Sequence, residues 1–148
     1  MTERKPAPEP PAGYRLEAQI GHLLRRAHQR ATAIFQAEIG DGNVTPTQFA
    51  ALVRLLEEGE TSQNHLGRLT AMDPATIQGV IRRLVERRLI ESRPDPDDRR
   101  RMLLRLSPDG RDLVARLLPN GPRVTAATLD PLNAEEQRTL LALLKRLT

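Results

Sequence analysis

For most of its length this chain repeats apolar residues at steps of three and four, the spacing of an amphipathic helix, and it leaves that period around residues 89–106. From Arg15 to Ile39 one stripe runs through Leu16, Ile20, Leu23, Ala27, Ala31 and Ile34, widened by Leu24 and Phe35. Gly40-Asp41-Gly42-Asn43 breaks it, because Gly, Asp and Asn tolerate turn backbone. A second helix is predicted from Thr45 as N-cap, with Pro46 at the first helical position and Gln48 completing a capping box. Its buried face is Phe49, Leu52, Val53 and Leu56. Glu58-Gly59-Glu60 ends it, and Thr61 with Asn64 predicts the start of a short third helix carrying Leu66 and Leu69.

Thr70-Ala71-Met72 reads as a turn, after which Asp73-Pro74 opens a fourth helix: the carboxylate accepts from free N–H groups, and the proline sits where no donor is missed. Ile77, Val80, Ile81 and Leu84 form its apolar stripe. Ala75, Gln78, Gly79 and Arg82 lie opposite, with Arg83 at the edge. Leu89–Arg93 and Arg101–Leu106, joined by Pro94-Asp95-Pro96-Asp97-Asp98, predict a two-stranded hairpin. Ser107-Pro108 caps another helix, interrupted by Pro119-Asn120-Gly121-Pro122 and resumed from Val124 to Leu129. Asn133 with Glu136 caps a last helix bearing Leu140, Leu143, Leu144 and Leu147. The opening segment, with Pro6, Pro8, Pro10 and Pro11, holds too little apolar content to pack.

Composition narrows the fold class. Aromatic residues make up 2% of the 148, so the core is expected to be built from Leu, Ile, Val and Ala in packed helices. The expected architecture is mainly α: a winged helix-turn-helix domain with a two-stranded β wing, flanked by N- and C-terminal helices whose long apolar stripes the compact middle segment cannot cover alone, and which are therefore expected to be dimerisation helices. Residues 1–14 are expected to be a disordered tail, 15–44 a dimerisation helix, 45–106 the DNA-binding domain and 107–148 the C-terminal dimerisation helices.

Two short helices joined by a tight turn and followed by a hairpin let the second helix enter a major groove about 12 Å wide. The net charge of +4 suits a polyanionic partner. Nine arginines (82, 83, 87, 88, 93, 99, 100, 101 and 105) fall within that helix and the hairpin, interrupted by Glu86, Glu91, Asp95, Asp97 and Asp98. The alternative is an ordinary solvated, Arg-rich surface. In the hairpin loop, Asp98 is expected to hold one arginine while Arg99 or Arg100 reaches DNA; otherwise Asp97 and Asp98 merely neutralise their neighbours.

These segments resemble the MarR-type regulators. Val44-Thr45-Pro46-Thr47-Gln48-Phe49-Ala50-Ala51-Leu52 is similar to that family's second-helix opening. Ser62-Gln63-Asn64-His65-Leu66 and Asp73-Pro74-Ala75-Thr76 resemble its two helix starts, and Asp95–Arg100 through Leu106-Ser107-Pro108-Asp109-Gly110 its wing and exit. The resemblance implies a homodimer whose first and last helices interlock, a palindromic double-stranded operator, and repression relieved by a small aromatic or phenolic ligand. Ala75, Thr76, Gln78, Gly79, Arg82, Arg83, Asp98, Arg99 and Arg100 are the expected DNA-binding residues. Two departures stand out: Asp97 where the wing often has arginine, and Gly79 where the recognition face usually carries a larger residue.

His22, Arg26 and His28 on the first helix are candidate effector ligands, against plain packing or solvent exposure as the alternative. Three dispersed histidines without cysteine make no expected metal site, and no cofactor or catalytic motif is found. No apolar run nears the roughly 20 residues of a membrane span, and no secretory leader is read, so the expected location is cytoplasmic. A winged-helix module that docks an acidic protein, with no specific DNA site, is the competing reading.

Overall fold

The computed structural model describes residues 9–148. Pro6, Pro8 and most of the proline-rich opening lie outside the described residues, while residues 9–14 are exposed and hold one turn, closed by the Tyr14 amide on the Pro11 carbonyl (3.0 Å). A 3-10 turn at Leu16–Ala18 precedes helix α1 (Ile20–Glu38). The regular helix thus starts later than Arg15: Gln19 is extended, and Leu16 stays half-exposed at 51%.

Helix α2 (Pro46–Glu58) begins with the expected capping box, Thr45 Oγ1 accepting from the Gln48 amide (3.2 Å) and Gln48 Oε1 from the Thr45 amide (3.3 Å). It ends at Gly59, whose φ of +76° suits a residue without Cβ. Strand β1 (Thr61–Ser62) follows, then α3 (Gln63–Leu69), α4 (Pro74–Glu86), β2 (Ile90–Pro94), β3 (Met102–Leu106), α5 (Pro108–Leu117), a 3-10 turn at Leu118–Asn120, α6 (Gly121–Leu129) and α7 (Ala134–Lys145).

One expectation is extended here and one corrected. The sheet has three antiparallel strands in the order β1-β3-β2, with Thr61 opposite Leu104, so the wing is anchored to the body by a strand absent from the two-stranded prediction. For the same reason Thr61 does not cap α3. Its side chain is buried in the sheet, and Ser62 takes the cap, its Oγ accepting from the His65 amide (3.3 Å).

The core lies between α2, α3, α4, α5 and the sheet, with Leu52, Leu55, Leu66, Leu84, Leu104, Val114 and Leu117 fully enclosed. Ile39 and Val44 tie the end of α1 to it, beside a tilted Phe35–Phe49 ring pair at 5.6 Å. Gly110 lets the first turn of α5 press on the strand: a Cβ there would stand 1.9 Å from the Leu89 carbonyl oxygen. Helix α6 packs along α1, where Asn120 Nδ2 donates to the Ile39 carbonyl (2.9 Å) and Arg123 pairs with Glu38 (2.9 Å).

Candidate nucleic-acid interface

Helices α3 and α4 meet at a turn made possible by close packing. Gly67 faces the start of α4 closely: a Cβ there would sit at van der Waals contact, 3.4 Å, with both Ile77 Cγ2 and the Met72 carbonyl oxygen. Ala71 takes a positive φ of 52°, and the Met72 amide returns to the Gly67 carbonyl (2.9 Å). Asp73 then caps α4, Oδ1 accepting from the Thr76 amide (2.9 Å) and Oδ2 from the Thr76 hydroxyl (2.6 Å). The hydroxyl bond first, and the amide bond after it, hold the Asp73 carboxyl below its usual range. Thr76 therefore presents its methyl and a hydroxyl whose proton is already committed.

The orientation of α4 follows from its stripe. Ile77, Val80, Ile81 and Leu84 are 7% exposed or less, which turns Ala75, Thr76, Gln78, Arg82 and Arg83 outward and leaves Gly79 half-buried. Among the described residues, Arg82 and Arg83 join no ion pair and no side-chain hydrogen bond. Cationic side chains beside a short polar helix start are what a groove edged by phosphates accepts.

The wing is more ordered than its turn-like sequence suggests. Asp95 is 3% exposed and lies at its centre: Oδ1 accepts from the Asp97 amide (2.9 Å), and Oδ2 from Arg101 Nε (2.7 Å) and Nη2. The Asp97 amide bond, then the guanidinium, lowers the Asp95 pKa. Asp98 Oδ1 accepts from both the amide and Nε of Arg100 (3.1 Å each). Of the two loop candidates, Arg100 is therefore held by Asp98 while its side chain stays 92% exposed, and Arg99 has no ion-pair partner among the described residues.

The remaining arginines divide the same way. Arg93 grips Glu60 with Nε and Nη2 (2.9 and 2.6 Å), tying the wing to the end of α2 and lowering the Glu60 pKa. Arg105 pairs with Glu91 directly across the strands (2.7 Å), and Arg87 donates to the Asn43 carbonyl (2.8 Å). Much of the apparent basic cluster is thus scaffold. Sequence reading singled out Asp98 and missed Asp95 and Glu60; the signal for Asp95 was an aspartate two residues before a free amide, the pattern of an Asx turn.

His22, Arg26 and His28 all lie on α1, and the helix does not bring them together. His22 and Arg26 are one turn apart, with His22 Nδ1 3.1 Å from Arg25 Nη2, while His28 stands roughly 160° around the helix from Arg26. Arg26 and His28 are exposed. Clefts of about 260 and 400 Å³ open elsewhere, between the end of α2, the wing root and the first turn of α5, where Arg93, Arg105 and Arg111 meet Glu60, Glu91 and Asp112.

The sequence model of the MarR family matches residues 43–101, from the start of α2 to the wing. The HTH-type transcriptional repressor NicR of Pseudomonas putida is 40% identical over 134 residues, spanning 90% of this chain and 85% of the relative. The chain belongs to the MarR family. Solved MarR-like structures agree along nearly the whole fold. A probable transcriptional regulator from Pseudomonas aeruginosa superposes with a TM-score of 0.84 at 53% identity, over 90% of this chain and all of that one. BpsR of Bordetella bronchiseptica, whose DNA binding is regulated by 6-hydroxynicotinic acid, gives 0.84 at 40% identity, over 90% and 96%. The MarR family is one of winged-helix transcription regulators, not of enzymes. Among the described residues no helix is long and apolar enough to cross a membrane.

Proposed function

We propose that this MarR-family chain is a homodimeric repressor that reads a palindromic double-stranded operator with α4 and the wing and is released by a small aromatic acid. Residues 45–106 read the DNA, and residues 15–44 and 107–148 pair two copies. The observation that carries the reading is the pair Arg82 and Arg83, free of protein partners among the described residues, on the outer face of a helix whose rotation is fixed by four buried aliphatic side chains. Ala75, Thr76, Gln78 and Gly79 supply the rest of that face; Asp98 positions Arg100, and Arg99 reaches the backbone or the minor groove.

Pairing is supported by apolar side chains left uncovered on the outer helices. Leu16, Ile20, Leu23 and Leu24 are 44–65% exposed, and Leu140, Leu141, Leu143 and Leu147 36–70%. A two-fold pair sets its recognition helices about 34 Å apart on one face of DNA. For the effector, the 40% identity to BpsR favours a hydroxylated aromatic acid, with His22, Arg26 or His28 meeting its carboxylate or ring hydroxyl.

The test is a footprint on the DNA upstream of the protein's own gene. A protected palindrome is expected, lost on adding 6-hydroxynicotinic acid. Arg82→Ala and Arg100→Ala should each weaken operator binding about tenfold, the scale of one base or phosphate contact, without lowering Tm. Binding that tracks salt alone, with no preferred duplex, would sink the reading.

A further inference from the structure

A helix ends with carbonyls that its own backbone cannot satisfy, and α1 and α6, which run antiparallel, each take that cap from the other. At the end of α1, Arg123 Nη2 donates to the Glu38 carbonyl (2.6 Å) while its Nε pairs with the Glu38 carboxylate, and Asn120 Nδ2 donates to the Ile39 carbonyl. At the end of α6, Arg30 of α1 donates from Nη1 to the Thr128 carbonyl (2.6 Å) and from Nη2 to the Ala127 carbonyl (3.4 Å). A guanidinium thus stands at each C-terminus, where it also meets the negative end of the helix dipole.

The two clamps matter because α6 has little else to hold it. It is 9 residues long and buries none of them, and a helix that short is marginal alone. It leaves the body through the 3-10 turn Leu118–Asn120, beside the place where Phe35 and Ile39 carry the end of α1 into the core. The Arg123 clamp therefore sits against the body, and the Arg30 clamp lies eight residues back along α1, about 12 Å further out at 1.5 Å per residue. Beyond it α7 hangs from the same corner, Gln137 Nε2 donating to the Leu129 and Leu132 carbonyls (3.2 and 2.9 Å).

We propose that Arg30 is a positioning residue that, through its cap on α6, fixes the separation at which two copies present α4 to DNA; the role rests on the operator and pairing readings above. If two copies meet through the exposed faces of α1 and α7, the path from one α4 to the other crosses the α1–α6 joint twice, and the stiffness of that joint sets how well half-site spacing is enforced. One base pair inserted between half-sites displaces them by about 3.4 Å and rotates them by roughly a tenth of a turn. A joint clamped at both ends does not follow that shift. With the outer clamp released, α6 and α7 swing against α1, and the dimer accommodates both spacings. Arg30 acts in this way without touching DNA, because its guanidinium is spent on α6.

The experiment compares the parent, Arg30→Ala and Arg30→Lys for binding to the footprinted operator, to the same operator with one base pair inserted at its centre, and to a single half-site, all at one salt concentration. Sedimentation at the assay concentration reads the oligomeric state. The parent should prefer the native spacing at least about tenfold, and Arg30→Ala less than about threefold, mainly by gaining on the lengthened site. Half-site affinity should stay within about twofold of the parent, and the variant should remain a dimer. Arg30→Lys, which keeps the charge and one donor at the end of α6, should recover most of the preference. A spacing preference in Arg30→Ala within about twofold of the parent's overturns the proposal. So does a monomeric variant, which would make Arg30 a pairing contact, or an equal loss on the half-site, which would place it on DNA. Arg30→Gln decides by the same criteria if Arg30→Ala does not fold. A parent that prefers no duplex, or sediments as a monomer, overturns this proposal together with the operator or pairing reading, and is told apart from the other failures by the parent alone.

Discussion

The body from Val44 to Leu117 and the helices that flank it are built from the same residue types and differ in what they enclose. In the body, α2, α3, α4, α5 and the sheet bury Leu52, Leu55, Leu66, Leu84, Leu104 and Leu117 almost completely. Outside it, α6 and α7 bury no residue and α1 buries only Phe35, although α7 alone carries five leucine or alanine positions in its last seven residues. An isolated helix of that length is marginal in water, so its stability has to come from apolar contact. One region completes its core within the chain, and the other leaves apolar side chains uncovered, the contact that the proposed pairing of two copies would supply.

The sharpest way to break the first half of this contrast is Gly110→Ala. The added methyl carbon would stand 1.9 Å from the Leu89 carbonyl oxygen, a backbone atom that also receives the Ser107 amide (3.1 Å) and has no rotamer to escape into. A cost of about 3 kcal/mol is expected, read as a fall in Tm on the order of 10 °C. A variant that melts with the parent would mean that α5 does not press on the strand.

The second half is broken by Leu143→Glu on the exposed side of α7, where Leu143 is 49% exposed in one chain. A carboxylate placed at a paired apolar surface, once from each copy, should raise the dimer dissociation constant about 100-fold, or roughly 2.7 kcal/mol. The body should keep its fold. Sedimentation that still finds a dimer at the parent's concentration would remove α7 from the pairing surface.

Acid separates the two regions more gently. Asp73 is held low chiefly by the Thr76 hydroxyl, Asp95 by the Asp97 amide and Glu60 by Arg93, and all three belong to the body and wing. Each folded pKa is depressed, so each contribution is complete above the ordinary carboxylate range near 4 and is lost as pH falls through the lower folded value. Amide protection in the wing should therefore be level from about pH 8 to 5 and decline below about 4. A decline already under way between pH 7 and 6 would implicate a histidine instead.

The order of helices was legible because each begins with chemistry that leaves little choice. Thr45-Pro46, Asp73-Pro74, Ser107-Pro108 and Asn133 with Glu136 all cap the helices expected of them. The outer face of α4 was legible too, because four aliphatic residues at helical spacing fix its rotation. Strand β1 was not, since two residues carry no period and Thr61 is as suited to a cap as to a strand until Leu104 lies opposite it. Arginine count misled for a related reason. Which arginines are free depends on partners distant in sequence: Glu60 lies 33 residues from Arg93, and Glu91 lies 14 from Arg105.

The smallest expected effect sharpens the distinction between arginines that build the wing and those left for DNA. Glu91 and Arg105 are about half-exposed (48% and 58%), and their bond spans neighbouring strands that are already joined by a backbone ladder. Asp95 is buried and holds the loop through two separate donors, Arg101 and the Asp97 amide. Solvent screens the first pair, and ordering two long side chains offsets most of its attraction. A double-mutant cycle with Glu91→Gln and Arg105→Gln should give a coupling below about 1 kcal/mol. Asp95→Asn keeps the shape of the side chain and removes its charge, so the Asp97 and Arg101 amides should exchange faster while those of α2 do not change. Equal effects from the two aspartate and glutamate variants would mean that the wing is held by its strands alone, and that the buried carboxylate does not organise the loop on which Arg99 and Arg100 stand.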